Sequence, residues 1–227
     1  ASSANYTVET SGPVVSSITL SDTALKIGDT ALVTITFSEA VTNFGNADVT
    51  VEQGTLSSLS SADGGVTWTG TLTPTSNIED ASNIISVANS YTDLAGNAGT
   101  AATGPNYSVD TIAPTASISL SDSALIGGET ATVTITFSEA VTGLTTGDFT
   151  VDSGALSNLV TSDGGVTWTA TFTPSANTSD AINVITLNAN SYTDVAGNPG
   201  SGASSANYTV ETSGPVVSSI TLSDTAL

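Results

Sequence analysis

The 227-residue sequence contains no histidine, no cysteine and no arginine, and it has one lysine, Lys26, against 21 aspartates and glutamates, giving a formal net charge of −20. Without Lys and Arg to neutralise phosphates, no surface of the chain matches nucleic acid or an anionic membrane. Without His or Cys there is no Ser-His or Cys-His nucleophile pair, no imidazole base, and no ligand set for structural zinc, haem or iron-sulfur clusters. Only carboxylate, hydroxyl and Lys26 chemistry is left. No apolar run approaches the roughly 20 residues that span a bilayer, so direct membrane insertion is not expected, and no basic segment followed by an apolar one opens the chain. The lack of cysteine fits a reducing compartment, and equally fits large secreted repeat proteins that avoid mispaired disulfides.

Thr, Ser, Ala, Val and Gly dominate what is present, and charged residues make up only 10%. A hydrophobe-poor, charge-dense disordered chain has a different profile. Residues 1–25 recur unchanged at 203–227, a period of 202. Inside that period "VTITFSEAVT" occurs at 33–42 and 133–142, and "DGGVTWT" at 63–69 and 163–169. The unit is therefore about 100 residues in two alternating versions, long enough for each to bury its own core. The expected division is 1–11 as the last strand of a preceding repeat, 12–111 and 112–212 as two full repeats, and 213–227 as the first strand of a following one.

Val33, Ile35 and Phe37 alternate with Thr34 and Thr36, the period-2 pattern of a half-buried strand. The first repeat is read as seven strands, near 14–20, 31–38, 47–52, 55–60, 66–73, 83–91 and 104–110, separated by turn-rich segments. No segment carries apolar positions at helical spacing over three turns. The predicted fold is all-β: tandem immunoglobulin-like seven-stranded antiparallel β-sandwiches, with Trp68 and Trp168 in the cores. The asparagines of "NYT", "NYS" and "NTS" at 5, 106, 177 and 207 match the glycosylation sequon, a weak signal in so hydroxyl-rich a chain.

Counting antiparallel strands assigns each loop to one end of a sandwich. At the end nearest the preceding repeat the count places Glu39, Asp48, Asp93 and Asn97, and in the second repeat Glu139, Asp148, Asp194 and Asn198. The linkers bring Glu9 and Asp110 toward these sets, and Glu211 leads onward. Asp22 and Asp122 either close the junctions from the neighbouring repeat or make Asx turns. Asp63 and Asp163 in "DGG" read as hairpin-turn residues. Like charges so concentrated repel unless a cation neutralises them, and sets of six to eight hard oxygen donors suit calcium better than magnesium, which keeps a tight hydrated octahedron. In "YTDLAGN" (91–97) and "YTDVAGN" (192–198) the glycine permits a left-handed turn that could wrap Asp and Asn oxygens round one ion. Each such loop taken alone is also simply a good turn.

At "TITFSEAV", "YTDLAGN" and "VDTIAPT" the sequence resembles the bacterial immunoglobulin-like repeats that form the extender regions of giant RTX-type adhesins, including ice-binding and biofilm adhesins. The resemblance implies secretion, a place at the bacterial cell surface with tethering through another part of the protein, and calcium at the repeat junctions. It carries over to Glu39, Asp48, Asp93, Asp110, Glu139, Asp148 and Asp194. One departure is the linker acid, which is glutamate in "VETSGP" (Glu9, Glu211) and aspartate in "VDTIAP" (Asp110).

The expected role is a non-catalytic, monomeric array of spacers whose partners are calcium ions and neighbouring repeats. The rival role, a receptor- or glycan-binding module, calls for exposed loop aromatics, and Phe44 in "TNFGNAD" is the one candidate, replaced by Leu144 in the second repeat. A carboxylate pair could support glycoside hydrolysis, but no cleft-forming insertion accompanies it.

Overall fold

A computed structural model describes residues 8–223. Residues 1–7 and 224–227, with Asn5 and parts of the two flanking strands expected at 1–11 and 213–227, lie outside the described residues. The chain divides into two compact units, Ala1–Ile112 and Ala113–Leu227.

In repeat 1 the chain runs through β1 (Val15–Leu20), β2 (Ala24–Leu25), β3 (Ala31–Phe37), β4 (Val41–Thr42), β5 (Val49–Val51), β6 (Gly54–Leu56), β7 (Thr67–Pro74), β8 (Glu79–Asn83), β9 (Ile85–Val87), β10 (Thr92–Asp93), β11 (Ala102–Thr103) and β12 (Tyr107–Asp110). One four-stranded sheet has the order β1-β3-β7-β6, and the opposite layer is built from β11-β9-β5 and β2-β12-β8, with the short pair β10-β4 at one end. Repeat 2 repeats this plan with β13 (Ala116–Leu120), β14 (Ala124–Ile126), β15 (Ala131–Phe137), β16 (Val141–Thr142), β17 (Phe149–Val151), β18 (Gly154–Thr161), β19 (Thr167–Pro174), β20 (Ser179–Asn183), β21 (Ile185–Leu187), β22 (Thr193–Asp194), β23 (Ala203–Ser204) and β24 (Tyr208–Glu211). No α-helix occurs among the described residues, only 3-10 turns at Asn46–Asp48 and Thr146–Asp148.

The period-2 pattern sets the layers. In β3, Val33, Ile35 and Phe37 are buried while Thr34 and Thr36 face outward, in register with Thr69 and Thr67 of β7. None of the strands in the four-stranded sheets, β1, β3, β6 and β7 or β13, β15, β18 and β19, contains an ionisable residue. The carboxylates are thereby confined to the other layer, the turns and the ends.

Three features depart from the expected strands. The expected strand at 83–91 is replaced by β8, β9 and β10, which belong to three different sheets. Buried Asn83 explains the first break: its side-chain amide donates to the Asp80 and Tyr107 carbonyls, fixing a bulge after which the chain crosses layers. The segment expected as a loop around Glu79 and Asp80 is the start of β8. Pairing is also not wholly antiparallel, since β2 runs parallel to β12 and β14 to β24. Trp68 and Trp168 pack against the cores without being enclosed, and their indole N–H groups donate to Gly65 and Gly165 carbonyls at 3.1 and 3.0 Å.

Phe44 is not an exposed loop aromatic. It is 7% exposed and lies edge-on to Phe37, Trp68 and Tyr91, with ring centroids 4.9, 5.3 and 5.8 Å away. Leu144 fills the same place in repeat 2.

Candidate metal centre

The Tyr-Thr-Asp turn is built from its glycine and its last asparagine. Gly96 and Gly197 sit at φ of 94° and 95°, a left-handed conformation costly for residues with a Cβ. That reversal brings Asn97 back onto Asp93: the backbone N–H of Asn97 donates to Oδ1 at 2.8 Å and its side-chain amide to Oδ2 at 2.7 Å. In repeat 2, Asn198 does the same to Asp194, and the Gly197 N–H adds a third bond at 2.7 Å. Both aspartates are buried. Hydrogen bonding by the Asn97 side chain, outweighing desolvation, holds the Asp93 carboxyl below the usual carboxylate range. The two asparagines thus act as clamps that fix the carboxylate, with their amide nitrogens turned toward it.

Pairing puts the acid of "FSEAV" beside this clamp. Val41 pairs with Asp93 and Val141 with Asp194, so Glu39 and Glu139, two residues upstream, enter at the same end. In repeat 2, a carboxylate oxygen of Glu139 and one of Asp194 lie within 4.8 Å of each other. Among the described residues, the carboxylates of Glu9, Glu39 and Asp93 do not all come that close together.

The remaining acids are placed as follows. Asp48 accepts from the Gly45 N–H at 2.8 Å and from the Ser90 hydroxyl, and Asp148 accepts from the Thr145 N–H at 2.6 Å, so both close their 3-10 turns. Asp22 and Asp122 make Asx turns with Ala24 and Ala124, each at 2.9 Å. Glu9 turns back onto the Ser11 N–H at 2.7 Å, and its carbonyl accepts from the Asn97 amide at 3.4 Å. Asp110 closes β12 opposite Glu79 and accepts from the Ile112 N–H at 3.1 Å. Glu211 closes β24 opposite Ser179 and accepts from the Ser179 hydroxyl, the Ser213 N–H and the Ser213 hydroxyl. The Ser179 bond leads in holding Glu211 below its ordinary value.

Lys26 pairs with Asp29 at 3.0 Å, so the single cationic side chain of the protein is already engaged in an ion pair. Like charges about 4 Å apart repel by about 1 kcal/mol even at the dielectric constant of water, so the close approach of the Glu139 and Asp194 oxygens favours a neutralising cation. Hard carboxylate oxygens at this separation, that of Asp194 held by its clamp, suit a calcium ion, which takes oxygen ligands at about 2.3–2.6 Å.

Two contributors were not singled out in the sequence. Tyr91 anchors the turn from inside, its hydroxyl donating to the Thr100 carbonyl at 2.7 Å, and a Cβ on Gly99 would stand 2.1 Å from its ring. Tyr192 and Gly200 repeat the arrangement, also at 2.1 Å. The signal that could have found them is the tyrosine-to-glycine spacing of eight, conserved between the two copies of the motif.

The sequence model of the bacterial Ig-like domain matches residues 9–109 and again 110–210. The chain belongs to the bacterial Ig-like domain family. Each Ig-like domain, in that division, opens on a linker acid, Glu9 or Asp110, and contains its own clamp. No curated protein matches the chain. Among solved structures, the tandem Ig-like domains are similar to the Escherichia coli adhesin FdeC, at 15% identity and a TM-score of 0.44 over 87% of this chain and 63% of that one. They are also similar to the Yersinia pseudotuberculosis adhesin InvE, at 16% identity and a TM-score of 0.33 over 83% of this chain and 58% of that one. The Ig-like chain thus spans about three-fifths of the length of either adhesin structure.

Proposed function

We propose that these Ig-like domains are non-catalytic extender repeats of a large bacterial surface adhesin, and that calcium bound at the repeat junctions stiffens the array so that it projects a distal adhesive domain. The observation that carries this reading is the close approach of the Glu139 and Asp194 carboxylates, with Asp194 held by the Asn198 clamp. Asp110, three residues before Ala113, is the proposed third ligand. Tethering to the cell belongs to another region of the protein.

Calcium would act through mass action. With a dissociation constant near 0.1 mM and millimolar extracellular calcium, each site adds about 1.4 kcal/mol to stability. A longer array multiplies that contribution by its number of joints.

The receptor-binding reading loses the feature it needed, because Phe44 belongs to the core. An open groove recurs beside Pro74 and beside Pro174, at ≈ 200 and ≈ 210 Å³. Both are smaller than the roughly 300–1,000 Å³ of typical ligand pockets, and a third groove, beside Asp63, reaches ≈ 380 Å³ but is lined by no aromatic side chain.

Calorimetric titration of the chain with calcium tests the proposal. The unaltered chain binds calcium, and Glu139→Gln and Asp194→Asn each weaken the central site at least about tenfold, the effect of one charge at ligand distance. Unchanged affinity in both variants would refute the site.

A further inference from the structure

Three of the four sequons lie within the described residues, and strand pairing separates one of them from the other two. Asn106 and Asn207 immediately precede β12 and β24, each the central strand of a three-stranded sheet. Their side-chain amides are engaged, donating to the Ala81 and Ala181 carbonyls at 3.1 Å each, and the Asn207 side-chain oxygen also accepts from the Asn183 N–H at 3.0 Å. The residues that follow, Tyr107 and Tyr208, are buried. The hydroxyls two positions on, those of Ser108 and Thr209, donate to the Thr23 and Ser123 carbonyls, each at 3.4 Å. An enzyme reaching either asparagine has to draw a strand bonded on both sides out of its sheet.

Asn177 stands differently. It lies in the turn between β19 and β20, is exposed, and has a φ of 54°, a left-handed conformation that asparagine adopts more readily than most residues with a Cβ. Its side-chain amide makes no hydrogen bond to any described residue. Thr178 is tied to Thr212, whose hydroxyl accepts its N–H at 2.9 Å and whose N–H donates to its carbonyl at 2.7 Å. Ser179 opens β20, an edge strand, and its hydroxyl donates to the exposed Glu211 carboxylate, a bond that water can replace. The matching turn of repeat 1 holds Asn77, also exposed and at a φ of 55°, but Ile78 and Glu79 follow it and no sequon is formed.

We propose that Asn177 is an asparagine-glycosylation site, accepting a sugar from a glycosyl diphosphate donor, and that the fold withholds Asn106 and Asn207 from the same reaction. An acceptor of this kind belongs on a surface loop, where Asn177 is and the other two are not. In the transfer the Asn177 Nδ2 attacks the anomeric carbon of the sugar, and the bond from that carbon to the diphosphate oxygen breaks. The diphosphate leaves with the bonding electrons, and one amide proton passes to a base of the transferase. The Asn-Thr-Ser sequon occurs in one of the two alternating repeat versions, so an array of such repeats carries one glycan for every two domains, a bulky and solubilising group at a fixed turn. The site is independent of the calcium reading above.

The test offers the folded chain to a soluble asparagine glycosyltransferase with UDP-glucose in one arm, and to an oligosaccharyltransferase with its lipid-linked donor in the other, so that the two sources of activated sugar are told apart. Intact mass and peptide mapping read the product. The expected result is a single glycan at Asn177 in at least one arm, lost in Asn177→Gln and in Ser179→Ala. Glu79→Ser, which completes the sequon at Asn77 in the matching turn, should add a second glycan there. Synthetic peptides spanning Asn106 and Asn207 should be accepted by the same enzyme, since only the fold protects those residues. An unmodified Asn177 in both arms overturns the proposal, and so does modification of Asn106 or Asn207 in the folded chain as readily as Asn177.

Discussion

Asn198 donates its backbone N–H to one oxygen of the Asp194 carboxylate and its side-chain amide to the other, each at 2.8 Å. Both residues are buried, at 0% and 1% exposure, so the carboxylate cannot exchange these donors for water. The clamp sets where the charge points before any ion arrives, which reduces what binding must still order.

Replacing the clamp residue should therefore weaken the fold as well as the site. Asn198→Ala removes a hydrogen bond to a buried charge, a loss of about 2 kcal/mol that lowers the melting temperature of repeat 2 by roughly 10 °C. Calorimetry of the variant in EGTA checks this. A melting temperature equal to that of the unaltered chain would mean that the amide contributes nothing.

Gly99 supports the clamp through close approach. A methyl group there meets the Tyr91 ring, so Gly99→Ala should displace the ring and destabilise repeat 1 by about 1–3 kcal/mol, the usual consequence of overpacking. Denaturant unfolding followed by tryptophan fluorescence reports it, because Phe44 links Tyr91 to Trp68.

Phe44→Ala empties the centre of that aromatic cluster. The expected cost is about 3–5 kcal/mol, and calorimetry should resolve repeat 1 melting well before repeat 2. Coincident melting with the unaltered chain would return Phe44 to the surface.

Asp63 and Asp163 give a pH prediction. The Thr67 and Thr167 N–H groups lead the hydrogen bonds that pull each carboxyl from 3.8 down to about 2. A depressed carboxyl stabilises the fold fully above its unfolded value and loses that effect as pH falls through its folded value. The "DGG" turns should therefore hold at pH 4 and loosen toward pH 2. Carboxyl NMR titration checks it, with midpoints near 2 expected for both residues and midpoints near 3.8 contradicting the turn geometry.

Patterning made the sandwich legible, because Val33, Ile35 and Phe37 and their copies alternate cleanly with threonine. Strand counting was sufficient to bring Glu139 and Asp194 to one end, as the Val141–Asp194 pairing shows. Local sequence could not reveal what pairing decides. "VSSITL" is strand β1 at 15–20, with Ile18 buried against β3, yet the identical residues 217–222 form no strand and leave Ile220 87% exposed. Residues 217–222 have no hydrogen-bonded neighbour strand among the described residues, and an extended segment without one forms no sheet. β8 was missed for a related reason: Glu79 and Asp80 are poor strand formers, held extended by β12. Phe44 misled because "TNFGNAD" has the composition of an exposed turn, while the space under it is set by Phe37 and Tyr91 from distant strands.

The central claim is that calcium converts linkers into fixed joints. Small-angle scattering of the chain, paired with its melting curve, tests it most directly when recorded in millimolar calcium and again in EGTA. Calcium should give the longer maximum dimension and the higher melting temperature, and EGTA should shorten the one and lower the other. Identical length and melting temperature in both conditions would contradict the account.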